Sequence, residues 1–356
     1  MNNRRLKKAL SRIRHLPVNR HLYSYIKNKS LQFYFSSVDS LKVAWPSTMM
    51  LELSAACNLA CTTCAREYDF GRDMDKGFMD IGLARKIIDD TWPYLDSVGL
   101  TGMGETLLYN DIEVLVHYIK SKNRGIIISI STNAHVPDFA GRVNALVNNL
   151  DTIQISVDGL ENVYESIRRK ASFDTFSKNV KAASKICRNS KTDLMLNMVI
   201  TKENYFQMPA MVSFASENGI AWLDFTMFNL ASVTGIDTSY YEFYQTSEFR
   251  KYLDEALFVA EQLSVHLNAD SFSNDFGNGF KSCPFPFGHF YITWQGYLAP
   301  CCAKPFPKEK NFGNLNNSDL LSLLNNNEFI NFRELWYQNQ TPDFCKNCHF
   351  ITGSRV

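Results

Sequence analysis

The sequence predicts an α/β fold, a partial (β/α)6 barrel followed by a small, metal-stapled C-terminal domain. Three observations predict it. Apolar or β-branched runs of strand length alternate with helical patterns between residues 49 and 228. No sequence repeat accompanies that alternation. From Asp270 onward Gly, Pro, Asn and aromatic residues crowd together with five of the nine cysteines, the composition of a loop-rich domain held by metal.

The strand-like runs are Met49 to Leu53, Ser97 to Thr101, Ile126 to Ser131, Thr152 to Val157, Leu194 to Ile200 and Trp222 to Phe228. Residues 80–92, 111–123, 137–149, 161–188 and 204–218 carry the three-and-four spacing of amphipathic helices. Right-handed crossovers turn such units into a parallel sheet. Six units fall short of the eight that close a barrel, so an open barrel is expected, with its site at the C-terminal strand ends. Residues 241–264 read as one long helix with Tyr252, Leu253, Leu257, Ala260 and Leu263 on its apolar side. The expected divisions are a basic helical extension over 1–45, the barrel over 46–240, a linker helix over 241–265 and the C-terminal domain over 266–356.

The formal charge is +1, yet residues 1–38 hold nine Lys or Arg and no acid, leaving −8 on the remainder. Leu6, Leu10, Ile13 and Leu16 recur at helical spacing among Arg4, Arg5, Lys7, Lys8, Arg12 and Arg14. This reads as a basic amphipathic helix ending near Pro17. Packing on the enzyme body is preferred over docking on a membrane surface or an anionic partner, because the stripe is narrow and short. The overall balance gives no reason to expect nucleic acid. No run of about 18 apolar residues occurs to cross a bilayer. The cysteines are odd in number and clustered, which suits metal ligation in a reducing compartment, and the cytoplasm is expected.

Cys57-Asn58-Leu59-Ala60-Cys61-Thr62-Thr63-Cys64 directly follows the first predicted strand, so three thiolates leave one strand end on one loop. Thiolates suit iron-sulfur clusters or zinc. Three of them leave one iron of a cubane without a protein ligand, whereas a structural zinc site normally takes four. This spacing in this position resembles the radical S-adenosylmethionine superfamily over about residues 46–230. Gly102-Met103-Gly104-Glu105, Ser131-Thr132-Asn133 and Ser156-Val157-Asp158-Gly159 follow at successive strand ends, and Tyr164-Glu165-Ser166-Ile167-Arg168 matches a further pattern of that family.

The resemblance implies that S-adenosylmethionine chelates the open iron of a four-iron four-sulfur cluster held by Cys57, Cys61 and Cys64. It implies that Gly104 and Glu105 bind the amino group of the cofactor and that Ser131 and Ser156 contact its ribose or methionyl part. Arg168 would pair with its carboxylate. Thr63 departs from the family, which commonly has an aromatic or large apolar residue there. His135 follows Asn133-Ala134, where many relatives have Asn-Gly, and a surface histidine at a helix start is preferred over a substrate contact.

Cys283, Gly296-Tyr297-Leu298-Ala299-Pro300-Cys301-Cys302, Phe312-Gly313-Asn314-Leu315 and Cys345-Lys346-Asn347-Cys348 resemble the auxiliary-cluster domains of the SPASM and twitch groups. The single-cluster 2-deoxy-scyllo-inosamine dehydrogenases are the nearest pattern. Cys283, Cys301, Cys345 and Cys348 would saturate a second four-iron cluster, making it an electron relay; a zinc ribbon on the same cysteines is the alternative. Cys302 replaces Cys301, packs inertly or returns hydrogen to substrate, and inert packing is preferred. Trp294 to Tyr297 reads as a turn between short strands.

The function expected from the resemblance is radical oxidation of a sugar, cyclitol or similar small-molecule carbinol, with a flavodoxin or ferredoxin-type reductant and the auxiliary cluster as electron acceptor. Rivals are a maturase of a ribosomal peptide, a radical epimerase or deoxygenase, and a non-catalytic zinc protein. The first 45 residues look short for a winged-helix peptide-recognition domain.

Overall fold

The structure, a computed structural model, describes residues 20–273, 283 and 285–348. The basic stripe from Leu6 to Leu16 lies outside the described residues. Along the chain run α1 (Arg20–Ser37), β1 (Thr48–Leu51), β2 (Ala60–Cys61), α2 (Ile81–Thr91), β3 (Ser97–Gly99), α3 (Ile112–Lys122) and β4 (Ile127–Thr132). They are followed by α4 (Phe139–Leu146), β5 (Thr152–Ser156), α5 (Glu161–Ile167), β6 (Arg168–Arg169), α6 (Phe173–Arg188), β7 (Asp193–Ile200), α7 (Met208–Glu217) and β8 (Trp222–Met227). The remainder supplies α8 (Ser247–Gln262), β9 (His266–Asn268), β10 (His289–Ile292), β11 (Leu298–Ala299), α9 (Leu320–Leu324) and α10 (Asn327–Tyr337). All six predicted strand runs and the helices between them are present.

The chain forms two compact units, one from 20–56, 75–129 and 283–344 and the other from 57–74, 130–273 and 345–348, counting described residues. In the first, β1 lies between β3 and β10 and is parallel to both, with Thr48 opposite Ser97 and His289. β11 returns antiparallel to β10 across the turn expected at 294–297. β10 was not foreseen as a partner of β1. Its Phe290, Tyr291 and Ile292 are buried, and a strand with both faces covered must also pair its backbone groups.

In the second unit β5, β7, β8 and β9 are successive parallel neighbours. Ile153, Ile155, Leu196, Met198, Leu223 and Phe225 fill one face of that sheet, and Phe176 and Val180 of α6 belong to the same buried set. The intervening strand positions are only half-buried.

Two predicted helices are broken. The pattern over 161–188 becomes α5 and α6 because Arg168 and Arg169 leave the helix to pair with Cys61 and Ala60 of β2. Lys170 then takes a positive φ of 71° and Ser172 caps α6. The pattern over 241–264 becomes a 3-10 turn, Thr238–Gln245, and α8, because the Thr246 side chain accepts from Phe249 N–H and starts a new helix.

Candidate active site

The three-cysteine loop belongs to the second unit and is held from several sides. The antiparallel pair β2–β6 sets Cys61 opposite Arg168, and Thr62 N–H donates to the Ile167 carbonyl at 2.8 Å. Tyr68 Oη donates to the Thr62 carbonyl at 2.6 Å. From the end of β4, Asn133 donates to Asn58 Oδ1 at 2.9 Å and reaches Cys57 Sγ at 3.7 Å. Leu59 N–H reaches the same sulfur at 3.5 Å.

Burial pushes the Cys61 thiol up to about 12, partly offset by the Arg168 guanidinium. Burial likewise raises Cys64, against the lowering effect of the Arg66 N–H and charge. Such thiols keep their protons until a cation replaces them. Burial disfavours the charged form of Arg168, but Asp158 beside it reverses this and the guanidinium is held charged. The pair Arg168 Nη2–Asp158 Oδ2 is 3.0 Å long and buried. Asp158 also accepts from Val199 N–H at 3.0 Å and from Thr63 Oγ1 at 3.3 Å. Thr63, the departure noted in the cysteine motif, therefore ties the loop to this ion pair.

His135 is held within the fold, accepting from Ser172 N–H at 3.1 Å through Nε2 and stacking near Tyr164 and Phe176. The sequence preferred a surface histidine at a helix start; the ring instead packs half-buried among Tyr164, Phe176 and the Ser172 backbone. Ser131 and Ser156 stand half-buried near the ends of β4 and β5. Among the described residues no three Cys, His, Asp or Glu side chains are drawn closely enough to hold a single metal ion. The three thiols share one loop, not one point.

The first unit holds the Gly102–Glu105 loop. Gly104 and Glu105 donate their N–H groups to the carbonyls of Ser54 and Ala56, at 3.0 and 2.8 Å. A Cβ on Gly104 would meet the Ala56 and Ser54 oxygens at 2.4 and 2.5 Å, so backbone packing itself demands glycine. The buried Glu105 carboxylate accepts from Leu107 N–H at 3.0 Å. Glu52 braces the loop. Its Oε1 accepts from Met103 N–H and Tyr291 Oη, both at 2.9 Å, and its Oε2 from Trp294 N–H at 3.1 Å. In the same unit burial raises Cys283 to about 11 and Cys302 to about 12. Cys345 and Cys348 belong to the second unit, where Cys348 N–H donates to the Cys345 carbonyl at 3.4 Å.

Residues 51–215 match the family model of the Radical SAM superfamily, and residues 283–349 match that of SPASM, an iron-sulfur cluster-binding domain. The chain carries a radical SAM domain followed by a SPASM domain. It is 27% identical over 179 residues to the tungsten-containing aldehyde ferredoxin oxidoreductase cofactor-modifying protein of Pyrococcus furiosus, covering 48% of this chain and 49% of that protein. It is 28% identical over 175 residues to the mycofactocin maturase MftC of Mycolicibacterium smegmatis, covering 49% and 43%. The chain spans about half the length of the curated relatives it matches. Streptococcus suis SuiB bound to precursor peptide SuiA superposes with a TM-score of 0.65 at 17% identity, covering 87% of this chain and 71% of SuiB, which shows a shared fold. That fold is α/β, with parallel strands and helices as in the radical SAM partial barrel.

A radical SAM enzyme with a SPASM domain uses S-adenosylmethionine, a four-iron cluster and auxiliary iron-sulfur chemistry. The cysteine loop fits such a group. Its donors are thiols, N–H groups face Cys57, and among the described residues Arg66 Nε and Arg168 Nε are buried without hydrogen-bond partners.

Sequence reading of this radical SAM chain missed a polar row in the second unit. Ser156 lies opposite Asn197, Asn197 opposite Asp224, and Asp224 opposite Asn268. Asn197 Nδ2 also donates to Thr226 Oγ1 at 3.4 Å. The signal was available: Asp224 and Thr226 alternate with Leu223, Phe225 and Met227 along β8, and Asn197 interrupts the apolar run of β7, where strands covered on both faces would be apolar throughout.

Proposed function

We propose that this radical SAM enzyme is a maturase that oxidises or crosslinks a precursor peptide, in place of the sugar or cyclitol carbinol preferred from the sequence. The observation that carries the reading is its likeness to a mycofactocin maturase and to a cofactor-modifying protein. The likeness in fold to SuiB, whose structure contains a precursor peptide, agrees with it. The half-buried Asn197, opposite Asp224, also agrees, since a carboxamide offers a peptide backbone both the donor and the acceptor it needs.

In this reading Cys57, Cys61 and Cys64 hold the cofactor-binding cluster and Cys283, Cys301, Cys345 and Cys348 hold the auxiliary one. Gly104, Glu105, Ser131, Ser156 and Arg168 take up S-adenosylmethionine, an assignment that rests on the order of the family motifs along the chain. When bound, these groups supply a 5′-deoxyadenosyl radical able to take hydrogen from an unactivated carbon. The protein's part is to position the target, exclude water and hold charge: Asp158 keeps the Arg168 guanidinium charged beside the cysteine loop, and Asn133 directs its N–H groups toward Cys57.

The test is an anaerobic assay with reconstituted enzyme, S-adenosylmethionine and dithionite. Short peptides encoded beside the gene are compared with a panel of hexoses and aminocyclitols. Substrate-dependent 5′-deoxyadenosine and loss of a hydrogen pair from a peptide are expected. Turnover of a carbinol with no reaction on any peptide would restore the dehydrogenase reading.

A further inference from the structure

Helix α1 is fastened to its unit by its polar side. Tyr25 Oη donates to Asp96 at 2.8 Å, and Lys29 pairs with the same carboxylate at 2.6 Å. Asn28 Nδ2 donates to the Trp45 carbonyl at 3.0 Å and accepts from Trp45 N–H at 3.1 Å. Gln32 donates to the same carbonyl at 2.6 Å. Positions 25, 28, 29 and 32 follow the spacing of one helix face, which is the face a surface helix normally fills with apolar residues.

The outward face is inverted accordingly. Tyr23, Ile26, Phe33 and Tyr34 are 70%, 54%, 77% and 56% exposed, with Lys27 among them. Four large apolar side chains on one ridge are more than the scatter expected of a soluble surface. Lys27 is exposed beside them, and the sequence over residues 1–38 carries nine Lys or Arg and no Asp or Glu.

We propose that the outward ridge of α1 docks this enzyme on an anionic lipid surface. Tyr and Phe rings suit the headgroup boundary, and the cations suit acidic lipid. A second copy would bring the same positive charge against the first. An acidic peptide would be taken in a groove or on a sheet edge, not on a helix ridge. No described helix is long and apolar enough to cross a membrane, so the contact is with the surface.

The experiment is flotation of the full chain with vesicles of phosphatidylcholine alone or with about 30% phosphatidylglycerol, at about 0.1 and about 0.5 M salt. The wild type is expected to bind the anionic vesicles at least about 10-fold more tightly than neutral ones, and to lose that preference at high salt. Combined Tyr23→Ser, Ile26→Ser, Phe33→Ser and Tyr34→Ser substitutions should weaken binding by about 10-fold or more. Phe33→Asp alone, at the most exposed position, gives the same direction if the combined variant folds poorly. Equal binding to both vesicles, or unchanged binding by both variants, overturns the proposal. So does self-association, or binding of an acidic peptide, that these variants abolish in a protein that ignores vesicles.

Discussion

Asp158→Asn isolates the charge that holds the cysteine loop. The substitution keeps the side-chain shape but leaves Arg168 with no negative partner at 3.0 Å, in a place where the two side chains are 8% and 1% exposed. Removing one member of a buried pair costs about 3 to 5 kcal/mol, because the remaining charge stays desolvated. At 1.36 kcal/mol per decade this is a shift of about 100-fold to a few thousand-fold in the equilibrium for local opening. The opening concerned is that of β2 from β6, since Arg168 stands opposite Cys61 and the Thr62 amide is bonded to Ile167. Hydrogen exchange read by mass spectrometry on metal-free protein should show peptides spanning 57–68 exchanging faster by at least about 100-fold. Peptides from α2, in the other unit, should not change. Adding Arg168→Met to Asp158→Asn should recover most of the loss, since the uncharged methionine leaves no stranded charge beside the asparagine. Exchange within about 3-fold of wild type in the single variant, or no recovery in the double, would refute the argument.

Replacing Cys57, Cys61 and Cys64 together by alanine should abolish 5′-deoxyadenosine formation while about four irons remain per chain; iron analysis and chromatography check both. Glu52→Gln sets an amide among three donors and leaves one without an acceptor, which should lower stability by about 2 kcal/mol, read as a lower urea midpoint. Gly104→Ala, whose Cβ would press on two backbone carbonyls, should weaken S-adenosylmethionine binding by about 10-fold or more in equilibrium dialysis with iron content unchanged.

Much of the fold is legible in the sequence because its elements announce themselves locally. The apolar run Leu194 to Ile200 and the helical spacing over 80–92 emerge as β7 and α2. Errors fall where a distant partner overrides a local pattern. Residues 161–188 carry one helical pattern, yet Arg168 and Arg169 exchange helix for a ladder with β2. Nothing within that window signals the cysteine loop waiting about 107 positions upstream. The site divides in the same way. The cysteine motifs are read from spacing, but Thr63 was a departure from a family pattern until Asp158 appeared as its partner.

By itself the sequence determined the ligand chemistry and the order of the strands and helices, since thiol spacing and hydrophobic period are properties of a few neighbouring residues. Only the tertiary structure decided which buried charges meet and which faces are open. Glu52 gathers Met103, Tyr291 and Trp294 from separate parts of the chain, and α1 turns its aromatic side outward because its polar side finds Asp96 and Trp45. Register between strands and the partner of a desolvated charge are set by what folding brings alongside, so they are absent from any short window of the sequence.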